Sequence, residues 1–229
     1  MGEPEPIKVV LLGETGVGKT SIISQFTTHT FDPHRETSLS AQFISKTVDF
    51  QDIGQSIKFD IWDTVGQEKY RSLAKIFYKD AKVIIFVYDI TRAETFEGLK
   101  NYWYDETKNN TDGDAILAVV ANKIDLYANL KVSNNDGKAF ADQIGAILQT
   151  TSALSDSGIS TLFDNVGKKY LIPEFDYQSE DKKAQEQFLK KKKEDESKNK
   201  AGRNKKVNEN KGVKLEQNEQ NQKQKKGCC

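Results

Sequence analysis

The run Gly13-Glu14-Thr15-Gly16-Val17-Gly18-Lys19-Thr20 fits the spacing G-x-x-x-x-G-K-[ST], a set of residues suited to holding a string of phosphates. Its glycines let backbone N–H groups turn inward, and a helix starting at the lysine adds partial positive charge. The Lys19 ammonium reaches β- and γ-phosphates, and the Thr20 hydroxyl can ligate Mg2+. Gly13, Thr15, Gly16, Val17, Gly18, Lys19, Thr20 and Ser21 are therefore the candidate phosphate-binding residues. The motif implies a nucleoside triphosphate and leaves the base open.

Asn122-Lys123-Ile124-Asp125 speaks to the base. Guanine presents two adjacent donors, N1–H and the 2-amino group, and one carboxylate can accept from both. Adenine offers no such pair. Asp125 is the expected specificity residue; Asn122 would bond either guanine N7 or the phosphate loop, and the Lys123 stem would cover the ring. A third run, Trp62-Asp63-Thr64-Val65-Gly66-Gln67-Glu68, lies at the end of the third expected strand.

These residues need a scaffold that brings them to one edge. Short β-rich runs at residues 7–12, 42–50, 56–62, 82–88, 115–121 and 146–150 alternate with helical periods at 19–26, 68–79, 93–108, 134–145 and 157–171. The pattern predicts an α/β fold: a mostly parallel six-stranded sheet with one antiparallel edge strand and helices on both faces. The three motifs then fall at carboxyl ends of strands, where open α/β sheets bind ligands.

The chain has 229 residues, 36% of them hydrophobic, enough for one medium domain, expected over residues 7–175. Residues 176–229 change to Lys, Glu, Gln and Asn, with Tyr177 and Phe188 the only aromatics, and are expected to be a disordered tail. Formal net charge is zero, but the tail carries 16 Lys/Arg against 10 Asp/Glu, leaving the body acidic. The apolar runs are strand-sized, too short to cross a bilayer, and Pro6 stands where a myristoylation signal needs Ser or Thr. The two cysteines are adjacent at the C-terminus, which points to a reducing compartment. His29 and His34 both lie in a polar stretch, which argues against a His-rich metal site or a Ser-His-Asp arrangement.

Taken with Phe59-Asp60-Ile61-Trp62, Lys69-Tyr70-Arg71-Ser72-Leu73 and Val87-Tyr88-Asp89-Ile90-Thr91, the motifs resemble those of the Rab family of small GTPases across residues 7–172. The resemblance implies the P-loop GTPase fold, GTP/GDP and Mg2+ as ligands, and slow hydrolysis of GTP accelerated by an activating protein. It implies Thr20, Ser38 and Asp63 as metal-site residues, Gly66 at the γ-phosphate and Gln67 as the catalytic residue. Phe31 would sit edge-on to the base unless it is a core residue, and Ser152, Ala153 and Leu154 would form the loop whose alanine N–H meets guanine O6.

Phe43, Trp62 and Phe77 match the family's effector-facing aromatic triad, the alternative being plain core aromatics. The first switch departs from the pattern: Ser38-Leu39-Ser40 replaces the usual Thr-Ile-Gly, with Thr37 as the alternative ligand. Val65 stands in place of alanine and Thr15 in place of glycine, which bears on the hydrolysis rate.

The terminal Gly227-Cys228-Cys229 resembles the signal for double geranylgeranylation of Cys228 and Cys229, and two lipids hold where one is marginal. The lysines at 190–193 would add attraction to anionic lipid, or form a solvated flank or nuclear signal. The implied partners are an exchange factor, an activating protein, a GDP-dissociation inhibitor, effectors and a membrane, with no nucleic acid. A monomer on the cytoplasmic face of an intracellular membrane is expected, cycling with cytosol, with the endocytic subgroup, and hence the endosome, the most similar. The rival readings are a nucleotide-locked module that no longer hydrolyses and a P-loop kinase or ATPase; Asn122-Lys123-Ile124-Asp125 argues against the second.

Overall fold

β-Branched and aromatic residues dominate six segments that pair into one sheet: β1 (Pro6–Leu12), β2 (Gln42–Phe50), β3 (Gln55–Asp63), β4 (Val83–Asp89), β5 (Ile116–Asn122) and β6 (Ile147–Thr151). The computed structural model describes residues 4–35, 42–64, 77–111 and 113–178. Strand order is β2-β3-β1-β4-β5-β6; every pairing is parallel except that of β2 with β3, a hairpin turning at Gly54, whose φ of 63° suits glycine. The antiparallel strand is at the edge and alternates exposed and half-buried residues, whereas central β4 is buried throughout.

Alternation along β1 and β4 splits the core between two faces. Val10, Leu12, Ile84, Phe86 and Tyr88 pack with Phe96, Leu99, Trp103 and Phe140 from the helices that follow β4 and β5. On the other face Phe26 of helix α1 (Lys19–Thr28) stacks on Phe163 with ring centres 3.6 Å apart, and Phe59 of β3 packs edge-on against both. Each such ring, fully buried, contributes roughly 1.5–3 kcal/mol.

The helix expected over 93–108 is three segments: α2 (Ala93–Gly98), a π-helical turn (Leu99–Trp103) and α3 (Tyr104–Lys108). Buried positions 96, 99, 103 and 107 keep an α-like spacing, so hydrophobic period could not reveal the wider turn. Helix α4 (Asn134–Ile144) opens with a reciprocal Ser133/Asp136 capping box. Helix α5 (Ile159–Leu171) starts two residues later than expected because Gly158, at φ 71°, is its left-handed cap. A 3-10 stretch, Ile124–Asn129, occupies what reads in sequence as a polar loop. Most of the helix expected over 68–79 lies outside the described residues, as does the tail beyond 178.

Candidate nucleotide-binding site

β1 ends at Leu12 and α1 begins at Lys19, and the six residues between them fold back over the helix start. Gly13 has φ 145°, and a Cβ there would come 2.2 Å from the Val87 carbonyl oxygen, so only glycine lets the loop pass this close to β4. Gly18, at φ 101°, faces the Asn122 amide across a gap that a Cβ would close to 2.4 Å. Lys19 is 6% exposed and its Nζ donates to the carbonyls of Gly13 (2.9 Å) and Glu14 (3.1 Å). Burial lowers its pKa to about 8 against the pull of Asp63 and Glu14. The ammonium is thus held inside the loop's curve on two weak acceptors, where phosphate oxygens could replace them.

At the end of β3, beside β1, Asp63 is buried. One carboxylate oxygen accepts from Thr20 Oγ1 at 2.5 Å, and the other, Oδ1, is buried without a hydrogen-bond partner. Burial raises the Asp63 pKa, opposed by the Thr20 hydroxyl and the charges of Lys19 and Arg35. A buried carboxylate with one oxygen unsatisfied beside a threonine hydroxyl fits a hard, oxygen-seeking cation. Among the described residues no three His, Cys, Asp or Glu converge, so the donor set suits an ion that takes one or two protein oxygens and completes its shell with phosphate and water. Thr64 follows, its hydroxyl donating to the Leu11 carbonyl at 2.6 Å and tying the strand end to β1.

The third wall comes from β5 and β6. Asn122, 1% exposed, donates to the Val17 carbonyl at 2.8 Å and accepts from the buried Thr151 hydroxyl at 3.0 Å. Of the two roles expected for Asn122, the structure shows its amide on the phosphate loop. Lys123 sits at φ 67°, a left-handed turn that starts the 3-10 stretch carrying Asp125. Ser152 Oγ donates to Asp125 Oδ1 at 2.5 Å and so fixes the carboxylate's orientation. Thr15, Gly16, Gly18, Lys19, Thr20 and Ser21 share one cavity of about 310 Å3 with Phe31, Asn122, Lys123, Asp125, Ala153 and Leu154. Gly13, Val17, Asp63 and Ser152 stand behind its wall and position what lines it.

Ser38, Gly66 and Gln67 lie outside the described residues, as do Thr37, Val65, Cys228 and Cys229. Phe43, Trp62 and Phe77 do meet, with ring centres 5.2 Å and 5.8 Å apart along the row, and Phe43 is 51% exposed. Sequence reading missed the supports. Trp103 Nε1 donates to Glu14 Oε1 at 3.2 Å, Arg92 Nη2 donates to the Thr15 carbonyl at 2.8 Å, and Lys123 Nζ pairs with Asp89 Oδ2 at 2.7 Å. Burial raises the pKa of Asp89, but the Lys123 ammonium and the Thr91 hydroxyl and N–H outweigh it and hold the carboxyl below its usual range. The only sequence signal for any of these was Asp89's place in the Val-Tyr-Asp-Ile-Thr run.

A phosphate loop joined through one cavity to a base-reading carboxylate at the carboxyl edge of a mostly parallel sheet defines a guanine-nucleotide-binding domain. The Ras family model matches residues 8–172. Human Ras-related protein Rab-22A is 42% identical over 170 residues, covering 74% of this chain and 85% of that protein. RabJ of Dictyostelium discoideum is 38% identical over 165 residues (72% of this chain, 63% of RabJ), and RABA1b of Arabidopsis thaliana 38% over 159 residues (69% and 72%). The chain belongs to the Ras family of small GTPases, in its Rab branch. As such it binds guanine nucleotides, hydrolyses GTP, works through regulators and effectors, and acts in vesicle trafficking at intracellular membranes.

Proposed function

We propose that this chain is a slow GTP-hydrolysing switch for endocytic membrane traffic, with its nucleotide held in the cavity that runs from Lys19 to Asp125. The observation that carries this reading is that the phosphate-loop residues and Asp125 line one continuous cavity of about 310 Å3. In it Lys19 meets the β- and γ-phosphates, the loop N–H groups cradle them, and the Ala153 N–H and Asp125 carboxylate read guanine. Thr20, Asp63 and Ser38 would hold Mg2+, which would supply positive charge against the phosphates. Gly66 senses the γ-phosphate through its N–H, and Gln67 orients the attacking water. The rate without an activating protein is low because no arginine of the described residues lines the cavity except Arg35, which donates to Ser24 Oγ at 2.7 Å.

The remaining parts extend the switch to the membrane. Residues 7–175 form the nucleotide domain and 176–229 the tether, with Cys228 and Cys229 carrying two prenyl groups that a GDP-dissociation inhibitor can shield. A tether of this length spans on the order of 40 Å. Phe43, Trp62 and Phe77 offer effectors a contiguous aromatic surface. Similarity to Rab-22A supports the endosome as the membrane.

The test is base preference. Asp125→Asn replaces an acceptor with an amide donor, mismatching guanine's 2-amino group and matching the carbonyl that xanthine carries there. The loss for GDP is on the order of 1–3 kcal/mol, about five- to 150-fold. Dissociation constants for GDP and xanthosine diphosphate should move in opposite directions; an unchanged ratio removes Asp125 from base recognition.

A further inference from the structure

We propose that Asp89 and Arg92 are positioning residues that lock the base-reading loop to the phosphate loop and thereby set how slowly nucleotide leaves. The proposal rests on reading the cavity as the nucleotide site, and it adds residues that do not line that cavity.

Asp89 is the last residue of β4, 2% exposed, and pairs in register with Asn122, the first residue of the base motif. Its Oδ1 accepts from the Thr91 N–H (2.9 Å) and hydroxyl (2.6 Å), which fixes the carboxylate plane. Its Oδ2 is then turned toward two cations: Lys123 Nζ at 2.7 Å and Arg92 Nε at 3.7 Å. Lys123 carries the loop that presents Asp125. Arg92 reaches the other way, and its Nη2 donates to the carbonyl of Thr15, in the middle of the phosphate loop. The same guanidinium stands 3.9 Å from where a Cβ on Gly16 would be. One buried carboxylate therefore connects both ends of the cavity through Thr15, Arg92, Asp89 and Lys123.

The direction of the Thr15 contact explains why it would matter. A phosphate loop works by turning N–H groups inward, and the Thr15 carbonyl, unlike those of Gly13 and Glu14 that meet Lys19, is held by a guanidinium that resists the peptide rotation which would let go of a phosphate. A carboxylate this deeply buried is tolerated only because it is paired. Removing either cation leaves the other to hold its loop alone. Arg92 also lies 3.8 Å from the exposed Glu94, and its side chain is 38% exposed, which weakens but does not abolish its share.

The experiment uses the full chain loaded with a fluorescent GDP analogue and chased with excess GDP at fixed Mg2+. Arg92→Met keeps the apolar stem and removes the donors; it should speed release roughly three- to tenfold. Arg92→Lys, which can still donate to the Thr15 carbonyl beside Asp89, should stay closer to the parent than to Arg92→Met, an outcome that a packing role would not give. The Asp89→Asn/Arg92→Met double variant should release no more than about twice as fast as Asp89→Asn alone. Release from Arg92→Met at the parent rate, Arg92→Lys behaving like Arg92→Met, or a double variant that multiplies the two single effects each overturns the brace. Should Asp89→Asn fail to fold, the two Arg92 variants decide alone. A parent that loads GDP with unaffected variants defeats the brace and leaves the site intact; a parent that does not load GDP defeats both.

Discussion

Replacing Asn122 with Ala separates a contact with nucleotide from a contact that shapes the loop around it. The amide is 1% exposed and both its ends are engaged, the nitrogen by the Val17 carbonyl at 2.8 Å and the oxygen by the Thr151 hydroxyl at 3.0 Å. Truncation leaves two buried polar groups without partners, at about 1–3 kcal/mol each, less for the hydroxyl because it can rotate toward another acceptor. The share belonging to Val17 falls on the phosphate loop, whose next residue is Gly18, itself packed against this amide. That share alone predicts a loss of GDP affinity of roughly five- to 150-fold, taking a factor of ten per 1.4 kcal/mol. The assay is titration of a fluorescent GDP analogue, with a urea unfolding curve at saturating GDP to establish that the variant is folded. Asn122→Asp should be worse than Ala for binding, since it turns a carboxylate oxygen toward the Val17 carbonyl. A GDP affinity within twofold of the parent, in a folded Asn122→Ala variant, would refute the loop-holding role.

Gly13→Ala places a methyl 2.2 Å from the Val87 carbonyl, a backbone atom that cannot swing aside, at a φ of 145°; backbone strain of about 1–3 kcal/mol predicts at least roughly fivefold weaker GDP binding in the same titration, and parent-like binding would contradict the close approach of loop and strand. If Gln67 acts as proposed, positioning water and not phosphate, Gln67→Leu should slow single-turnover GTP hydrolysis by at least about tenfold while leaving GTP affinity within about twofold. Asp89 titrates below its usual range in the folded chain, so the stability it contributes is fully present above the unfolded carboxylate value and is lost as pH falls through the lower folded value. Urea midpoints measured from about pH 5.5 down to about pH 2.5 should therefore fall less steeply for Asp89→Asn than for the parent, and parallel curves would deny the carboxylate that role.

Strand identity was legible because the segments are short and apolar or alternating, and β1, β3, β5 and β6 each run into the chemistry they present. Gly13, Asn122 and Ser152 all stand at or just beyond strand ends, so finding the strands located the motifs. The local motifs were equally plain, since phosphate binding needs glycines and a lysine at fixed offsets. What could not be read were contacts between residues far apart in sequence. Trp103 reaching Glu14 and Arg92 reaching Thr15 span 89 and 77 positions, and nothing in either local pattern marks the pair. The π-helical turn was hidden for a related reason, because its buried positions repeat at a spacing an α-helix would also give. The role of Ser152 was half visible: its position after β6 placed it at the base site, but only the fold turns its hydroxyl onto Asp125 and not onto a ligand.

The end of β3 fixes the point at which the sheet meets the cavity. Thr64 is pinned to the Leu11 carbonyl, and Asp63 is buried beside it, so the chain leaves the sheet from a fixed point at the floor of the cavity. At that point the electrostatics are unbalanced. Burial pushes the Asp63 carboxyl toward its neutral form, and among the described residues one of its oxygens has no hydrogen-bond partner while the other accepts from the Thr20 hydroxyl. Lys19, the first residue of α1, has the opposite bias, its ammonium pushed toward neutrality by the same burial. Each group is thus short of the counter-charge that a cation and a phosphate chain would bring, and each already feels the other's charge. A site strained in this paired way gains most when phosphate and cation arrive together, and it makes that gain where the chain leaves β3. Placing the imbalance there, and not in the sheet, lets the core stay packed while the site answers to its ligands.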